Sequence, residues 1–226
     1  PLIVHVADRS WLPRLVATWP KQAEQLAQRF WPGPLTLVLP KTDLVPDLVT
    51  AGLPSVAVRV PAHSQALELL RLADVPVAAP SANPFGQLSP TCAEHVADRL
   101  GDMIDYLLDG GPCSVGVEST VLLLEPHRAV LLRPGGVPLE EIEAVLGAVV
   151  VPVQDPTTAP SPSPSSALAP GMFPQHYAPR TPLRVVEQLP VAAPRERTGL
   201  LTLQPCPAAD RFAAVEVLST QGDLTE

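Results

Sequence analysis

The sequence predicts an α/β fold in which helices flank a twisted, mixed β-sheet. In the first half of the chain, short apolar runs alternate with segments in which apolar residues recur every three or four positions, a pattern typical of strands alternating with helices. Later apolar runs follow one another closely, and only "EPHR" at 125–128 separates two of them, which indicates a hairpin. Because crossover helices favour parallel pairing and a hairpin requires antiparallel pairing, we expect both in one sheet.

The predicted strands are short apolar runs bounded by turn-forming residues. They are Leu2–Val6, Leu35–Leu39, Ser55–Val60, Val75–Ala79, Ile104–Leu108, Ser119–Leu124 and Ala129–Leu132. The predicted helices are segments with one apolar face, namely Lys21–Trp31, Ala62–Ala73, Thr91–Leu100 and Pro138–Leu146. The third helix has two predicted starts: a cap at Ser89 with Pro90 at the first helical position, or a cap at Thr91 with Glu94 three residues later.

Proline distribution predicts the domain organisation. The chain has 226 residues and 30 prolines, and six of these prolines lie between 151 and 170 together with four serines and one charged residue. Such a stretch buries too little apolar surface to order itself, so it predicts a linker. We expect a first domain over 1–150, a linker segment over 151–181 and a piece of a second domain over 182–226. About 45 residues are marginal for an independent core, so we expect the chain to be cut at this end, and also at Pro1.

Charge and cysteine content exclude several classes of protein. The net charge is −8 and the isoelectric point about 5.1, which argues against a broad electrostatic grip on nucleic acid. The three cysteines are widely spaced without a C-x-x-C pair, which argues against a zinc site or a disulfide framework and favours a reducing, cytoplasmic location. No apolar run reaches the length of a transmembrane helix, so we expect no membrane contact.

Two charged or titratable side chains interrupt apolar strands. Arg59 lies within "SVAVRV" and His5 within "LIVHV". A buried guanidinium requires an anion or a carboxylate, whereas an arginine on an edge strand needs only water. In such a pattern His5 is more often a core histidine with satisfied nitrogens, and a ligand-binding residue is the alternative.

Three polar segments could form a binding site for an anionic ligand. "APSANPFGQLSP" at 79–90 places hydroxyls, an amide and backbone N–H groups beside a predicted helix start, where phosphate binds readily, although a turn and helix cap explain it equally well. Ser119 begins a strand in "GVESTV", and Arg133 ends one in "VLLRPGG", where simple solvent exposure is the alternative. No G-x-S-x-G motif, cysteine nucleophile or metal cluster accompanies them, so we expect binding of a nucleotide and a small polar molecule rather than covalent catalysis, and we assign no catalytic residue.

In this order, "FWPGPLTLVLP", "SVAVRVP", "APSANPFGQLSPT", "GVESTV", "LLRPG" and "APGMFPQHYAP" resemble the YrdC/Sua5 family, of the longer Sua5 type. The resemblance implies a YrdC-like sheet, followed by the proline-rich linker and a partial Rossmann-like Sua5 domain. It implies synthesis of L-threonylcarbamoyl-adenylate and pyrophosphate from L-threonine, bicarbonate and ATP. The adenylate serves a tRNA threonylcarbamoyl transferase that forms N6-threonylcarbamoyladenosine at position 37 of tRNA.

The same resemblance assigns site residues by motif. Those on the threonine side are His5, Arg59, Ala79 and Ser119, with Arg59 pairing with the substrate carboxylate. Those on the ATP side are Ser55, Ser81, Asn83, Ser89, Arg133, His176 and Tyr177. Thr36 and Thr120 are expected neighbours, and a segment presenting His176 and Tyr177 closes over the nucleotide as a lid or acts as a passive tether.

The expected cofactor is Mg²⁺ bound to ATP. We expect phosphate oxygens and water to hold it, without a cage of protein carboxylates. The family's strand–helix unit with a Lys-x-Arg pair for the triphosphate precedes the segment that begins here at Pro1, so we expect this chain alone to bind ATP poorly and to make little adenylate.

Two other functions remain open at this point. One is a carbamoyl-transfer domain like that of hydrogenase-maturation proteins, which shares the fold; the "HYAP" segment argues against it. The other is a regulatory or RNA-binding module, against which the acidic charge argues. We therefore expect at most a weak contact with double-stranded RNA or tRNA.

Overall fold

The computed structural model describes residues 1–152, 181–186, 189, 198–207 and 209–221. Backbone packing divides the chain into two compact units, Pro1–Arg180 and Thr181–Glu226. Most of the predicted linker, with His176 and Tyr177, lies outside the described residues. No helix within the described ranges is long and apolar enough to cross a bilayer.

The first unit alternates strands and helices and ends in a hairpin and a helix. The strands are β1 Ile3–His5, β2 Leu35–Pro40, β3 Ser55–Arg59, β4 Val77–Ala79, β5 Thr120–Glu125 and β6 Arg128–Arg133. The helices are α1 Lys21–Phe30, α2 Asp47–Thr50, α3 Ser64–Ala73, α4 Ala93–Leu100 and α5 Leu139–Leu146, with 3-10 turns at Arg9–Arg14 and Gly101–Met103. The predicted α/β fold is confirmed, and so is the hairpin between β5 and β6.

The six strands form one mixed sheet in the order β4-β1-β3-β2-β5-β6. β1 pairs with β3, and β2 with β5, in parallel; the other three neighbouring pairs are antiparallel. Because side chains alternate between faces along a strand, and directly paired residues share a face, this register assigns every strand residue to one side.

One side, which we call the core face, carries the main hydrophobic cluster. Leu37, Val58 and Leu122 lie fully buried at its centre. Leu26 of α1 and Ile142 of α5 pack onto it, and both are also fully buried. The amphipathic period of α1 and α5 therefore serves to cover this face.

The other side, which we call the polar face, has a different composition. By this register its strand residues are Ile3, His5, Thr36, Val38, Pro40, Ser55, Ala57, Arg59, Val77, Ala79, Val121, Leu123, Glu125, Arg128, Val130 and Arg133. Its buried apolar cluster consists of Ile3, Val38, Ala57 and Val121, with Leu123 and Leu132 beside it. Among the described residues, the side chains of this cluster come from the hairpin and the other strands, and none comes from a helix. The polar face therefore has only a small apolar centre.

The predicted start of α4 is wrong. The helix begins at Ala93 with Cys92 at its N-cap, and no side chain caps it. Both predicted caps have other partners: Ser89 donates to Glu118, and Thr91 lies 3.4 Å from His95 Nδ1. The apolar stripe of α4 is also less buried than predicted, since none of its residues is fully buried.

The predicted strand at 104–108 is also wrong. The segment has no strand conformation, and Ile104, Leu107 and Leu108 are 36%, 43% and 67% exposed. Within the described ranges no strand pairs with it. β-propensity alone does not make a strand when the hydrogen-bonding partner is missing.

The described part of the second unit contains two strands. β7 Gly199–Thr202 and β8 Ala214–Val217 pair in parallel, with a 3-10 turn at Ala209–Arg211 between them. Parallel pairing requires a crossover rather than a hairpin. The partial Rossmann-like domain stays a prediction, as do the bounds of the three predicted segments.

Candidate functional site

Sheet register brings the main candidate residues together on the polar face. His5 of β1 pairs with Arg59 of β3. On the neighbouring strands, Thr36 pairs with Val121, and Val121 pairs with Arg133 across a β-bulge. Positions far apart in sequence therefore form one row across five strands, in the order β1, β3, β2, β5 and β6.

Ser119, just before β5, links two polar residues of this row. Its Oγ lies 2.8 Å from Thr36 Oγ1, and the Arg133 Nη2 donates to the same Oγ over 3.1 Å. Arg133 also donates to the Ser119 carbonyl, over 3.1 Å from Nε and 2.8 Å from Nη2. Ser119, Thr36 and Arg133 are all buried, so these bonds satisfy groups that would otherwise be costly.

Arg59 is oriented by a glycine. Its Nε donates to the Gly33 carbonyl over 2.9 Å, and the Gly33 N–H donates to Val60 over 2.9 Å. A Cβ on Gly33 would lie 2.2 Å from the Phe30 carbonyl oxygen, so only glycine fits this turn. Burial, and then the charge of Arg133, lower the pKa of Arg59. An arginine stays protonated nevertheless, so two positive charges share the face, an arrangement that favours a bound anion.

His5 is neutral at physiological pH. Burial, and then the charge of Arg59, lower its pKa from 6.5 to about 4. Its Nδ1 is buried and has no hydrogen-bond partner among the described residues. A buried polar atom left unpaired costs free energy, so this nitrogen is a candidate contact point for a ligand.

A second cluster of polar residues lies where the loop after β4 approaches the start of β5. The Asn83 amide donates to the carbonyls of Pro84 and Gln87, over 2.9 and 3.1 Å, which closes the loop on itself. Ser89 then donates to Glu118 Oε1 over 2.6 Å. Since Glu118 precedes Ser119, this bond joins the loop to the arginine-containing row.

The remaining predicted residues are more dispersed. Ser81 is exposed and lines a cavity of about 290 Å³ together with Ser89. Ser55 and Ala79 are on the polar face but away from the row: Ser55 precedes Arg59 by four residues, about 13 Å along the strand, and Ala79 pairs with Ile3. The site residues lie at strand ends and share one sheet face. His5, Arg59 and Arg133 are the last residues of β1, β3 and β6, and Ser119 directly precedes β5.

Thr120 does not join the site. Its hydroxyl donates to the Val137 carbonyl over 2.7 Å and accepts from the Val137 N–H over 3.0 Å. Both groups are buried, and Val137 belongs to the main hydrophobic cluster. Thr120 therefore anchors the segment before α5 on the core face, opposite Ser119.

Two contributors were not assigned to the site from the sequence, although Glu118 was among the polar residues noted at the start of that strand. Glu118 stood in the quoted "GVESTV", but its partner Ser89 is 29 residues away and no local pattern joins them. Gly33 stood in the quoted "FWPGPLTLVLP", and the glycine itself indicated only a chain break. The alternation of Ser55, Ala57 and Arg59 against three valines was the signal that could have identified the polar face.

A second cavity, of about 550 Å³, lies beside the first 3-10 turn and α1. Its polar groups bind one another: Arg9 Nη1 lies 2.6 Å from Glu24 Oε1, and the Trp19 indole donates to Glu24 Oε2 over 2.8 Å. Despite its greater volume, it offers a weaker case for a polar ligand than the row around Ser119. Over the described ranges, no group of three or more His, Cys, Asp or Glu residues could hold a metal ion.

Two family models match the chain. The Sua5_yciO_yrdC model, described as "Telomere recombination", matches residues 1–135. The Sua5_C model, described as "Threonylcarbamoyl-AMP synthase, C-terminal domain", matches residues 137–224. Together they cover almost the whole sequence.

Similar proteins agree with both models. Threonylcarbamoyl-AMP synthase of Pyrococcus abyssi is 51% identical over 187 residues, which cover 83% of this chain and 54% of that protein. The Bacillus subtilis synthase is 49% identical over 193 residues, covering 84% and 54%. The crystal structure of P. abyssi Sua5 complexed with L-threonine has a TM-score of 0.74 and 44% identity, covering 93% of this chain and 56% of that one.

The chain thus spans about half the length of the curated relatives that it matches. The order of the motifs, the mixed six-stranded sheet and both family models lead to one conclusion. The chain belongs to the Sua5/YrdC family.

Proposed function

We propose that this protein forms L-threonylcarbamoyl-adenylate and pyrophosphate from L-threonine, bicarbonate and ATP. The observation that carries the proposal is the row on the polar face. In it Arg133 contacts the Ser119 hydroxyl, and Arg59 lies beside His5, whose Nδ1 is unpaired among the described residues. Two guanidinium groups suit two anions, namely an amino-acid carboxylate and a nucleotide.

The threonine side is the part of the row formed by β1 and β3. Arg59 pairs with the substrate carboxylate, since Gly33 already orients its guanidinium. The hydroxyl of Ser119 and the neutral imidazole of His5 contact the polar groups of the amino acid. Ala79 contributes a small side chain on the same face. The P. abyssi Sua5 structure complexed with L-threonine supports threonine as the ligand.

The ATP side includes Arg133, Asn83 and Ser89, with Ser81 and Ser55 further out. Ser81 and Ser89 line the same cavity. His176 and Tyr177 belong to this proposal by family resemblance alone, since they lie outside the described residues.

The chemistry requires positioning more than covalent catalysis. The threonine amine and bicarbonate combine to a carbamate with loss of water, and a carbamate oxygen attacks the α-phosphorus, so that pyrophosphate leaves. The arginines hold anionic reactants close to one another and neutralise charge that develops during the attack. Mg²⁺ bound to ATP neutralises phosphate charge.

The product is proposed to supply a tRNA threonylcarbamoyl transferase. The match of the Sua5_C model at 137–224 supports the synthase over a carbamoyl-transfer domain of the same fold. The acidic net charge of −8 argues against a dedicated RNA-binding module.

The proposal is tested with the purified 226-residue chain in two assays. Calorimetric titration with L-threonine should show saturable binding that the variant Arg59→Met loses. Pyrophosphate release should need L-threonine, bicarbonate and ATP together, at a low rate if the sequence-based expectation of weak ATP binding is right.

The matched control is Arg29→Met, which removes an exposed arginine of α1 from the opposite face. It should bind threonine as the unchanged protein does. No threonine binding by a folded chain, or pyrophosphate release that does not require threonine, would contradict the proposed function.

A further inference from the structure

We propose that Ser89, Glu118 and Asn83 form a Mg²⁺ subsite beside the nucleotide. This inference rests on the proposed function, because the phosphates of ATP supply further ligands. It adds a protein carboxylate to a metal that the sequence led us to assign mostly to phosphate oxygens and water.

The three side chains bring together oxygens of the kind that Mg²⁺ prefers. Ser89 Oγ lies 2.6 Å from Glu118 Oε1 and 3.5 Å from Asn83 Oδ1. Neighbouring ligands of an octahedral Mg²⁺ lie about 3 Å apart when each is about 2.1 Å from the ion. The two measured separations lie on either side of that value, so small side-chain shifts suffice to accommodate the ion.

The amide of Asn83 is already oriented for this role. Its Nδ2 donates to the carbonyls of Pro84 and Gln87. Those two bonds identify the nitrogen end of the amide, so the oxygen is the end that faces Ser89. An amide oxygen in this position is available as a ligand.

Glu118 is held by its backbone as well as by Ser89. The Gly136 N–H donates to the Glu118 carbonyl over 2.8 Å. A Cβ on Gly135 would lie 2.3 Å from the same carbonyl oxygen, so the two segments touch closely. This packing holds the Glu118 backbone in place next to Ser119, and the bond from Ser89 orients the carboxylate.

The charge of Glu118 is the strongest reason to expect a cation. None of the salt bridges found over the described ranges includes Glu118. A carboxylate beside a triphosphate repels it unless a cation lies between them. A hydroxyl and a carboxylate also hold Mg²⁺ beside the phosphates in P-loop nucleotide hydrolases, so the combination suits the task chemically.

The decisive experiment compares nucleotide binding with and without metal. Mn²⁺ replaces Mg²⁺ as the probe, and its electron paramagnetic resonance signal reports free metal; calorimetry in EDTA reports binding of ATP alone. The variants are Glu118→Gln and Ser89→Ala, and the matched control is Glu94→Gln, an exposed acid in the first turn of α4. Circular dichroism and melting temperature confirm that each variant is folded.

We expect Glu118→Gln to weaken binding of Mn²⁺–ATP at least tenfold, and Ser89→Ala to weaken it by a smaller factor. In EDTA, Glu118→Gln should bind ATP as well as or better than the unchanged chain, because a repulsive charge is gone. Glu94→Gln should behave like the unchanged chain in both conditions.

Equal weakening of ATP binding by Glu118→Gln with and without metal would overturn the inference, since it would show a structural role in loop position. Binding of Mn²⁺–ATP that Glu118→Gln leaves unchanged would also overturn it while leaving the proposed function intact. If the unchanged chain binds no nucleotide under either condition, the ATP part of the proposed function and this inference both fail, and threonine binding tests the rest separately.

Discussion

The two faces of the sheet have different roles, stability on the core face and binding on the polar face, although neighbouring residues of the same strands form both. On the core face, Leu122 and Val58 contact helices and are fully buried. On the polar face, Arg59 and Ser119 come from the same two-residue alternation, yet they carry charge and hydrogen-bonding groups. Substitutions at two adjacent strand residues should therefore have different effects: one should reduce stability, and the other should reduce binding.

The largest expected difference concerns adjacent leucines of β5. Leu122→Ala removes a fully buried side chain on the core face and should lower the free energy of unfolding by about 3 kcal/mol. Leu123→Ala removes a half-buried side chain on the polar face and should cost about 1 kcal/mol. Urea unfolding measures both, and equal losses would refute the assignment of the two faces.

The second prediction separates binding from stability at Arg59. Arg59→Met should weaken threonine binding by roughly 2 to 3 kcal/mol, the usual value of a hydrogen bond to a charged group. The free energy of unfolding should stay the same or rise, because the change relieves repulsion from Arg133 and removes a buried charge. Calorimetry and urea unfolding on the same samples test this, and a marked loss of stability would show that Arg59 is structural.

The third prediction concerns pH. The pKa of His5 is about 4 in the folded protein and near 6.5 when unfolded, so the unfolded chain binds more protons between these values. Stability should therefore be constant above about pH 6.5 and fall by roughly 2 to 3 kcal/mol as the pH decreases to about 4.

His5→Gln should flatten that part of the stability profile. The exposed His127 in the β5–β6 hairpin provides the control, since His127→Gln should leave the profile unchanged. Unfolding in urea at half-unit pH steps gives the measurement. An identical slope in the His5→Gln variant would exclude His5 as the source.

The smallest expected effects come from Ser119 and Thr120, which are neighbours at the start of β5. Thr120→Val removes two buried hydrogen bonds to Val137 and should cost about 1 to 2 kcal/mol of stability with no effect on threonine binding. Ser119→Ala should do the reverse, weakening threonine binding with a smaller change in stability. Reduced binding in the Thr120→Val variant would place that hydroxyl in the site after all.

Sequence predicted the parts of the fold that depend on local patterns. β2, β3 and the β5–β6 hairpin followed from short apolar runs and the turn at "EPHR". The errors arose where a distant partner decides the outcome: Ser89 bonds Glu118 instead of capping α4, and 104–108 finds no strand to pair with among the described residues.

The site shows the same division between features that local sequence predicts and features that depend on distant partners. Arg59 and Ser119 could be nominated from their motifs, but their meeting on one face depends on the order of the strands in the sheet. Gly33 and Glu118 act through contacts with residues 26 and 29 positions away, respectively, which no local pattern encodes. Sequence motifs therefore identify which residues could bind a ligand, and the register of the sheet brings those residues together.

The most direct test of this account is to map L-threonine onto the molecule by nuclear magnetic resonance. Titration of the ¹⁵N-labelled chain should shift the amide signals of His5, Arg59 and Ser119 with one common dissociation constant. Signals from α1 and α5 on the core face should stay in place. Shifts centred instead on Arg9 and Trp19, beside the 550 Å³ cavity, would contradict the claim that the polar face is the binding surface.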